Sequence, residues 1–406
     1  MSDRIFRTAL LSTSIVAAAA CATAQTDGSE TMSVTGTEGT ELMAEALATF
    51  DGAWAMTFLP DGRALVTEQD GDLWLLDTDG AKLGEISNVP EVEMRGQGGL
   101  GDIIIHPDFA SNNTVFVSYV ERDPEDDSLS GAVVEKATLA LTENGGSLSD
   151  RTRIWEQSQK VPGNGHYSHR LAVAPDGNLI ITSGERQKFS PAQNMELNLG
   201  KIIRVTTDGE ALEDNPFYGN GAVADTVWSL GHRNMLGVAF DADGQLWAHE
   251  MGPKGGDELN RIVKGENYGY PQVSNGEHYN GKPFFGDHES YPIYENPAVS
   301  WTPVISPAGL IIYDGDMFAD WQGDAFIGGL SSQALIRVEF QQTPLDNQGS
   351  GGTSSTMETT ADEVERYEWG KRIREVEQGP DGAIYVLEDD PGGRLIKLTP
   401  AGETDS

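Results

Sequence analysis

Short strand patterns separated by glycine-containing turns return along most of the chain. Each copy begins with a tight turn, often Asp-Gly or Pro-Asp-Gly, and continues as an alternation of apolar and polar residues. Alternation with a period of two places successive side chains on opposite faces of a β-strand. The sequence therefore predicts an all-β protein. The copies lie at residues 58–77, 103–121, 173–185, 239–250, 320–340 and 378–397.

These six copies follow one another about 45 to 80 residues apart, and most of them continue into a second strand. Repetition at such a period, with several strands in each unit, is typical of a β-propeller. We predict a six-bladed β-propeller with four-stranded antiparallel blades over residues 49–400. The alternative is a chance recurrence of Asp-Gly turns in another β fold.

The N-terminal residues 1–24 have the features of an export signal. Arginines are followed by an apolar core, and Ala22-Thr23-Ala24 forms a small-x-small cleavage site. This segment is too short to span a membrane. We expect a periplasmic or secreted product, and the alternative is lipid attachment at Cys21, the single cysteine. No transmembrane segment is predicted.

Two segments are expected to carry no chemistry. Residues 25–48 are polar and aperiodic, as in a flexible leader, and residues 342–368 are acidic and of low complexity, as in a mobile surface loop. The formal net charge of −37 argues against nucleic acid and anionic membranes as partners, because binding phosphates needs clustered Lys and Arg.

Residues 228–279 hold the densest group of polar and aromatic residues. Functional side chains concentrate on loops that a rigid framework displays, although Asn, Gly, Pro and Asp are also ordinary turn residues. This stretch contains Arg233, and Arg372 and Arg374 alternate further along the chain, so that both would lie on one face of a strand. Such a pair suits an anionic ligand, and the alternative is two surface arginines bonded to nearby acids.

A histidine and several oxygen ligands complete the candidate chemistry. His166 precedes a strand and could act as a general base, although a loop histidine, and His169 equally, is often merely exposed. Hard oxygen ligands favour calcium over transition metals. Glu258 with Tyr268 could supply one site, and the carbonyls of a turn at Gly252-Pro253 could also contribute. By itself, Glu258 is equally compatible with a solvated surface acid.

Several segments in order resemble the soluble PQQ-dependent sugar dehydrogenases of the glucose/sorbosone dehydrogenase family, and particularly their aldose sugar dehydrogenase branch. The resemblance covers residues 50 to 400. It rests on GQGGLGDIIIHPDF (96–109), HYSHRL (166–171), LGKIIRVTTDGE (199–210), DNPF (214–217), GHRN (231–234), MGPKGGDELNRIVKGENYGYP (251–271) and KRIREVEQGPDGAIYVL (371–387).

The resemblance implies a six-bladed propeller that binds PQQ and Ca²⁺ and oxidises the C1 hydroxyl of aldoses to lactones. By position, Gly252 and Pro253 would hold the calcium that bridges to PQQ, and Glu258 and Tyr268 a structural calcium. His166 would be the base, and Arg233 would also stabilise charge on the quinone oxygen. The residues implied to contact PQQ are Gln97, Arg233, Asn234, Tyr279, Arg372 and Arg374.

The sequence departs from the family pattern at a few of these places. Ser331 stands where the family has a lysine, Gly165 where relatives place an acid or amide, and His169 where they have glycine. These differences concern cofactor affinity and substrate range more than fold. Two alternatives stay open, a calcium-dependent propeller lactonase or other hydrolase and a non-catalytic propeller that binds a sugar or a protein. We expect an aldose substrate, an unidentified electron acceptor and a monomer or dimer.

Overall fold

A computed structural model describes residues 31–284, 286–344 and 357–402. It is nearly all-β, which confirms the predicted fold class. The strands are β1 Thr31–Thr35, β2 Glu41–Asp51, β3 Ala53–Phe58, β4 Ala64–Glu68, β5 Leu73–Leu76, β6 Lys82–Ser87, β7 Leu100–Ile105, β8 Thr114–Arg122, β9 Leu129–Thr142, β10 Gly145–Glu156, β11 Val161–Pro162, β12 Ser168–Val173, β13 Leu179–Ser183, β14 Lys201–Val205, β15 Val227–Leu230, β16 Met235–Phe240, β17 Leu246–Glu250, β18 Asp257–Ile262, β19 Val299–Trp301, β20 Pro307–Ile312, β21 Ala325–Gly329, β22 Ala334–Pro344, β23 Met357–Glu368, β24 Ile373–Gln378, β25 Ile384–Glu388 and β26 Pro391–Pro400.

Helical structure within the described residues is limited to short pieces. One α-helical turn, α1, spans Phe109–Asn112, and 3₁₀ turns span Ser190–Gln193, Ala224–Thr226 and Ala319–Trp321. The strands elsewhere are arranged mainly as antiparallel hairpins.

Four-stranded antiparallel sheets are the repeating unit. Three separate sheets contain β12–β15, β16–β19 and β20–β23, and a larger sheet contains β3–β6 joined to β7–β10 through a short parallel pairing of β6 with β10. The turn glycines Gly62, Gly177, Gly244 and Gly382 all adopt φ between 79° and 87°. A residue with a Cβ rarely adopts this conformation, which explains the recurring Asp-Gly signal.

The first strands of these units form a closed circuit. Contacts run from β3 to β7, β12, β16, β20 and β24 in turn, and β24 contacts β3 again. Apolar side chains of adjoining sheets pack between them, for example Phe116 and Val134 against Leu171 and Ile181. The N-terminal ends of these six strands therefore face one end of a common axis.

The sheet that contains β24 to β26 is completed by the N-terminal part of the chain. Strand β2 pairs with β26, with Leu42 opposite Pro400 and Phe50 opposite Gly393, and β1 pairs with β2. The flexible leader predicted for residues 25–48 is therefore wrong from Thr31 onward. Its polar composition hid a strand whose partner lies at the other end of the sequence. The export signal predicted for residues 1–24, with Cys21, lies outside the described residues.

The mobile loop predicted for residues 342–368 is also wrong where the structure describes it. Strand β23 pairs with β22 along its length, with one register shift between Arg337 and Val338, and Leu335 lies opposite Tyr367. Ala361, Glu365 and Tyr367 are buried at alternating positions. Asp362 between them is exposed, and Glu365 is itself a buried acid, so the acidic composition masked the period of two. Residues 345–356 lie outside the described part.

Candidate active site

Most of the candidate residues lie at the N-terminal ends of the first strands. Gln97 precedes β7, His166 precedes β12, and Arg233 and Asn234 precede β16. Arg372 precedes β24, in which Arg374 is the second residue. Because these strands contact one another around the axis, side chains from distant parts of the sequence meet at one end.

A cavity of about 580 Å³ occupies this end. Four residues predicted to bind a cofactor line it, namely Gln97, Asn234, Arg372 and Arg374. The sequence analysis did not assign Trp54, His169, Met251, Asp51, Asp389 or Asp390 to the site, and they line the same cavity.

Arg372 and Arg374 both donate hydrogen bonds to the carboxylate of Asp389. Arg372 donates to Asp389 Oδ2 from Nε at 2.8 Å and Nη2 at 2.6 Å, and Arg374 donates from Nε to Oδ1 at 3.0 Å and from Nη2 to Oδ2 at 2.9 Å. The prediction that both share a face is consistent with this geometry. The alternative of arginines bonded to a nearby acid is therefore observed, and binding of an anionic ligand by this pair stays a prediction. Burial lowers the pKa of Arg374, which Asp389 partly offsets.

His166 is buried and held on both sides. Its Nδ1 lies 2.6 Å from Glu185 Oε1, and its backbone N–H donates to Gln97 Oε1 at 2.6 Å. Burial lowers the pKa of His166, although the Glu185 carboxylate opposes that shift. The ring is therefore neutral near pH 7, with Nδ1 protonated towards Glu185 and Nε2 able to accept a proton.

Glu185 is a residue that the sequence analysis missed. Its carboxylate also accepts the backbone N–H groups of Gln187 at 2.9 Å and Phe189 at 2.6 Å. Burial by itself raises the pKa of Glu185, but the hydrogen bonds and the charges of His166 and Arg233 bring it below the ordinary value. The only sequence signal was its place at the end of the third repeat, and its pairing with His166 needs the fold.

Backbone strain is concentrated at this point. His166, Ser168 and His169 have φ of 53°, 59° and 56°, and Gln187 and Phe189 have φ of 58° and 63°. Non-glycine residues rarely adopt these values, and they cluster at sites where the surrounding contacts fix the backbone for function.

Arg233 lies beside the cavity and turns towards the Gly-Pro turn. Its Nη1 donates to the carbonyls of Met251 at 2.7 Å and Gly252 at 2.8 Å, and Nη2 donates to the Tyr279 hydroxyl at 3.3 Å. Its Nε is buried without a hydrogen-bond partner among the described residues. Glu250, also missed from the sequence, fixes the Arg233 backbone N–H at 2.5 Å.

Tyr279 is the least integrated of the predicted residues. It is 75% exposed, and the bond to Arg233 is its link to the site. It lines neither the large cavity nor the small cavity described next.

The four predicted metal residues line one small cavity of about 10 Å³, room for a single ion or water. Gly252 and Pro253 form one side of it, and Glu258 and Tyr268 lie on another. The Tyr268 hydroxyl is unavailable, because it donates to Arg261 O at 2.5 Å and accepts from Val263 N–H at 2.9 Å. Its carbonyl is the group that could serve a cation, and it now accepts from His288 Nε2 at 3.0 Å.

Carboxylates accumulate around this small cavity. Burial raises the pKa of Glu258 well above its ordinary value, and the charges of Glu250 and Asp257 add to that effect. Asn260 Nδ2 donates to Glu250 at 3.3 Å and Glu258 at 3.4 Å, and its Oδ1 is buried without a partner among the described residues. This group of oxygens has the composition of a calcium site.

Across the described residues, none of the helices has the length and apolar character needed to cross a membrane.

Comparisons with known proteins agree with the geometry. The chain is similar to aldose sugar dehydrogenase YliI of Escherichia coli K12, at 33% identity over 353 residues, covering 86% of this chain and 90% of that protein. The crystal structure of the apo-form of soluble aldose sugar dehydrogenase from Escherichia coli has a TM-score of 0.79, with 33% identity and coverage of 89% and 100% of the two chains. The PQQ-bound form of aldose sugar dehydrogenase from Streptomyces coelicolor has a TM-score of 0.64, with 25% identity and coverage of 88% and 98%.

The family model described as glucose/sorbosone dehydrogenase matches residues 50–397, which is most of the chain. This match confirms the resemblance drawn from the motifs. The chain belongs to the glucose/sorbosone dehydrogenase family.

Proposed function

We propose that this protein is a PQQ- and calcium-dependent dehydrogenase that oxidises the C1 hydroxyl of aldoses to lactones. One observation carries the proposal: a buried neutral histidine, Arg233 and the pair Arg372 and Arg374 lie at the starts of β12, β16 and β24, three strands of the closed circuit. The relatives named as aldose sugar dehydrogenases, one of them PQQ-bound, support the same activity.

We further propose that the sheets are the six blades of a propeller. Six first strands contact one another in a closed circuit, and β2 completes the last blade by pairing with β26. A propeller of this kind presents the starts of its inner strands around a central depression, where a ligand can touch several blades at once.

The cavity fits a planar tricarboxylate. Its volume of about 580 Å³ accommodates a ligand of three fused rings, and Arg372 and Arg374 contribute guanidinium forks. Arg233 does not line this cavity but directly precedes Asn234, which does, and its Nε–H is buried without a partner among the described residues. Ser331, in the lysine position, donates to Val304 O at 3.3 Å, so it supplies no charge in place of that lysine.

The small cavity fits a divalent cation. Glu258 and the Tyr268 carbonyl would be its oxygen ligands, and Gly252 and Pro253, which line the same cavity, would add their carbonyls. The Gly252 carbonyl at present accepts from Arg233, so a cation bound there would compete with that guanidinium.

Bound PQQ would supply the quinone that accepts two electrons. The chain's own residues supply the rest. His166 Nε2 would take the proton of the C1 hydroxyl while Glu185 holds Nδ1–H, and departure of the C1 hydrogen as hydride then leaves the lactone carbonyl. Arg233 would stabilise the negative charge on the quinone oxygen. A guanidinium interacts strongly with developing charge because the site has a low dielectric constant.

Reconstitution tests the proposal. Purified apo-protein is given PQQ and Ca²⁺, and dye reduction is followed with a panel of aldoses and with matched sugars methylated at the C1 hydroxyl. We expect reduction with free aldoses and a lactone product, and none with the blocked sugars. Failure to bind PQQ, or reduction with blocked sugars, would contradict the proposal.

A further inference from the structure

His169 lies at the start of β12 and lines the large cavity, although the predicted mechanism gives it no role. Its imidazole stacks on the Trp54 ring, with centroids 5.0 Å apart and planes 8° from parallel. Gly101 makes room for the ring, because a Cβ there would lie 2.1 Å from His169 Cε1. The ring is 1% exposed, so its position is fixed by packing.

One hydrogen bond sets the tautomer of His169. Ser118 Oγ accepts the Asp102 backbone N–H at 2.8 Å and lies 2.8 Å from His169 Nδ1. Ser118 Oγ already accepts one N–H and has no other acceptor for its own proton among the described residues, so we assign that proton to the bond with Nδ1. An imidazole that accepts at Nδ1 carries its own proton on Nε2.

The ring also stays neutral. Burial lowers the pKa of His169 to about 3, and the Arg170 guanidinium, which packs 4.1 Å from the Trp54 ring centre, works in the same direction. His169 is therefore a neutral group with a permanent N–H donor. In the described part of the chain, no protein acceptor for Nε2 is present.

We propose that His169 is a cofactor-binding residue, which donates its Nε2–H to an acceptor atom on the rim of the bound quinone, with Trp54 as the support that holds the ring. The inference rests on the proposed PQQ function. The rim of PQQ consists mainly of carboxylate oxygens, quinone oxygens and a pyridine nitrogen, all of which accept hydrogen bonds. A donor that cannot lose or gain charge near neutral pH suits such a rim at any working pH.

Binding of PQQ to the apo-protein, without substrate, tests the assignment. Tryptophan fluorescence and PQQ absorbance are titrated in calcium buffer for the wild type, His169→Phe and Ser118→Ala. His169→Phe keeps a ring on Trp54 but loses the donor, and we expect its Kd to rise about 10-fold or more. Ser118→Ala frees the tautomer, and we expect a smaller rise. His106→Phe, on the loop after β7, is the control and should bind like the wild type.

The outcomes separate the two proposals. A wild type that does not bind PQQ overturns the proposed function, whereas a wild type that binds with the same Kd as a folded His169→Phe overturns only the role of His169. Nitrogen-15 spectra of the wild-type histidines decide the matter if His169→Phe does not fold. We expect an Nε2-protonated ring whose Nε2–H signal moves when PQQ is added, and an Nδ1-protonated or unmoved signal would reject the assignment.

Discussion

Two neighbouring clusters of charged side chains at this end of the ring carry an excess of charge of opposite sign. The cation-rich cluster consists of Arg372, Arg374 and Asp389, in which two guanidiniums share one carboxylate. The acid-rich cluster consists of Glu250, Asp257, Glu258 and Asn260, in which three carboxyl groups surround one small cavity or lie next to it in sequence. Met251 lines the cavities of both.

The charge of the two clusters is compensated in different ways. In the cation-rich cluster both guanidiniums bind Asp389, and the cluster faces a cavity of about 580 Å³ that Asp51 and Asp390 also line. In the acid-rich cluster the proton equilibrium shifts instead, as burial raises the pKa of Asp257 to about 6 and that of Glu258 above its ordinary range. Buried charge of one sign is stable only when it is paired, neutralised or bound to a ligand of opposite sign. An anionic cofactor next to a divalent cation would complete both clusters.

The largest effect is expected at the proposed base, which belongs to neither cluster. His166→Gln should lower kcat by about 10²–10⁴-fold, the usual worth of a general base, with PQQ affinity little changed. Stopped-flow reduction of bound PQQ measures the chemical step directly. His106→Gln is a matched control, since His106 lies on the loop after β7 and bonds to Asp108 N–H. Activity kept within a few-fold would place the base elsewhere.

The cation-rich cluster is expected to matter next, through binding. Replacing Arg372 and Arg374 together by Ala should raise the Kd for PQQ about 10²-fold or more, because two charge-assisted forks are lost and Asp389 is left unpaired. Arg374→Ala should cost more than Arg372→Ala, since the Arg374 side chain is 15% exposed and that of Arg372 is 39% exposed. Equilibrium titration followed by PQQ absorbance gives both values.

Arg153→Ala is the control for this series. Arg153 is 41% exposed and pairs with Glu121 and Glu156 away from the site. An unchanged titration for the double variant would remove the cation-rich cluster from the cofactor site and leave only its ion pair with Asp389.

The pH dependence of activity tests whether His166 must be neutral. Protonation of His166 stops it acting as a base, so activity should fall as the pH drops through a pKa below about 6.5, its ordinary value. Glu185 raises that pKa against the effect of burial. Glu185→Gln keeps an acceptor for Nδ1–H but removes the charge, so the acid limb of kcat/KM should move to lower pH. A shift to higher pH, or none in a folded variant, would contradict the His166–Glu185 pairing.

The sequence predicted those features that depend on residues close together along the chain. Asp-Gly turns and alternating strands predicted the all-β class. The spacing of Arg372 and Arg374 predicted that they act together, although Arg372 precedes β24 and a register shift lies between Ile373 and Glu375. Partners that arrive from other strands were missed. Glu185 reaches His166, and Asp389 reaches the arginine pair, only because the hairpins β12–β13 and β24–β25 place them there. Strand β2 was missed for the same reason, since its partner β26 is the last strand.

Family motifs supplied the rest of the candidate site, and the structure refines their use. Tyr268 can offer a cation only its carbonyl, because its hydroxyl is bonded to Arg261 and Val263. Tyr279 is exposed beyond either cavity. Such details depend on side-chain direction, which spacing in the sequence does not give.

The smallest effect is expected in the acid-rich cluster, where it should depend on calcium. Burial, and after it the charge of Glu250, disfavour the ionised form of Glu258 and raise its pKa. The ionised carboxylate therefore destabilises the fold as the pH rises above the pKa of an ordinary carboxyl group. Glu258→Gln removes this penalty but also the anionic ligand. In chelator at pH 7 the melting temperature should therefore stay the same or rise slightly, whereas in excess Ca²⁺ it should fall a few degrees below that of the wild type. Glu277→Gln is the control, because Glu277 is 54% exposed and faces Lys254 at 3.6 Å. If Glu258→Gln lowers the melting temperature equally with and without calcium, the cluster is held together by its own hydrogen bonds, and the opposite excess of charge in the two clusters does not reflect a bound cation.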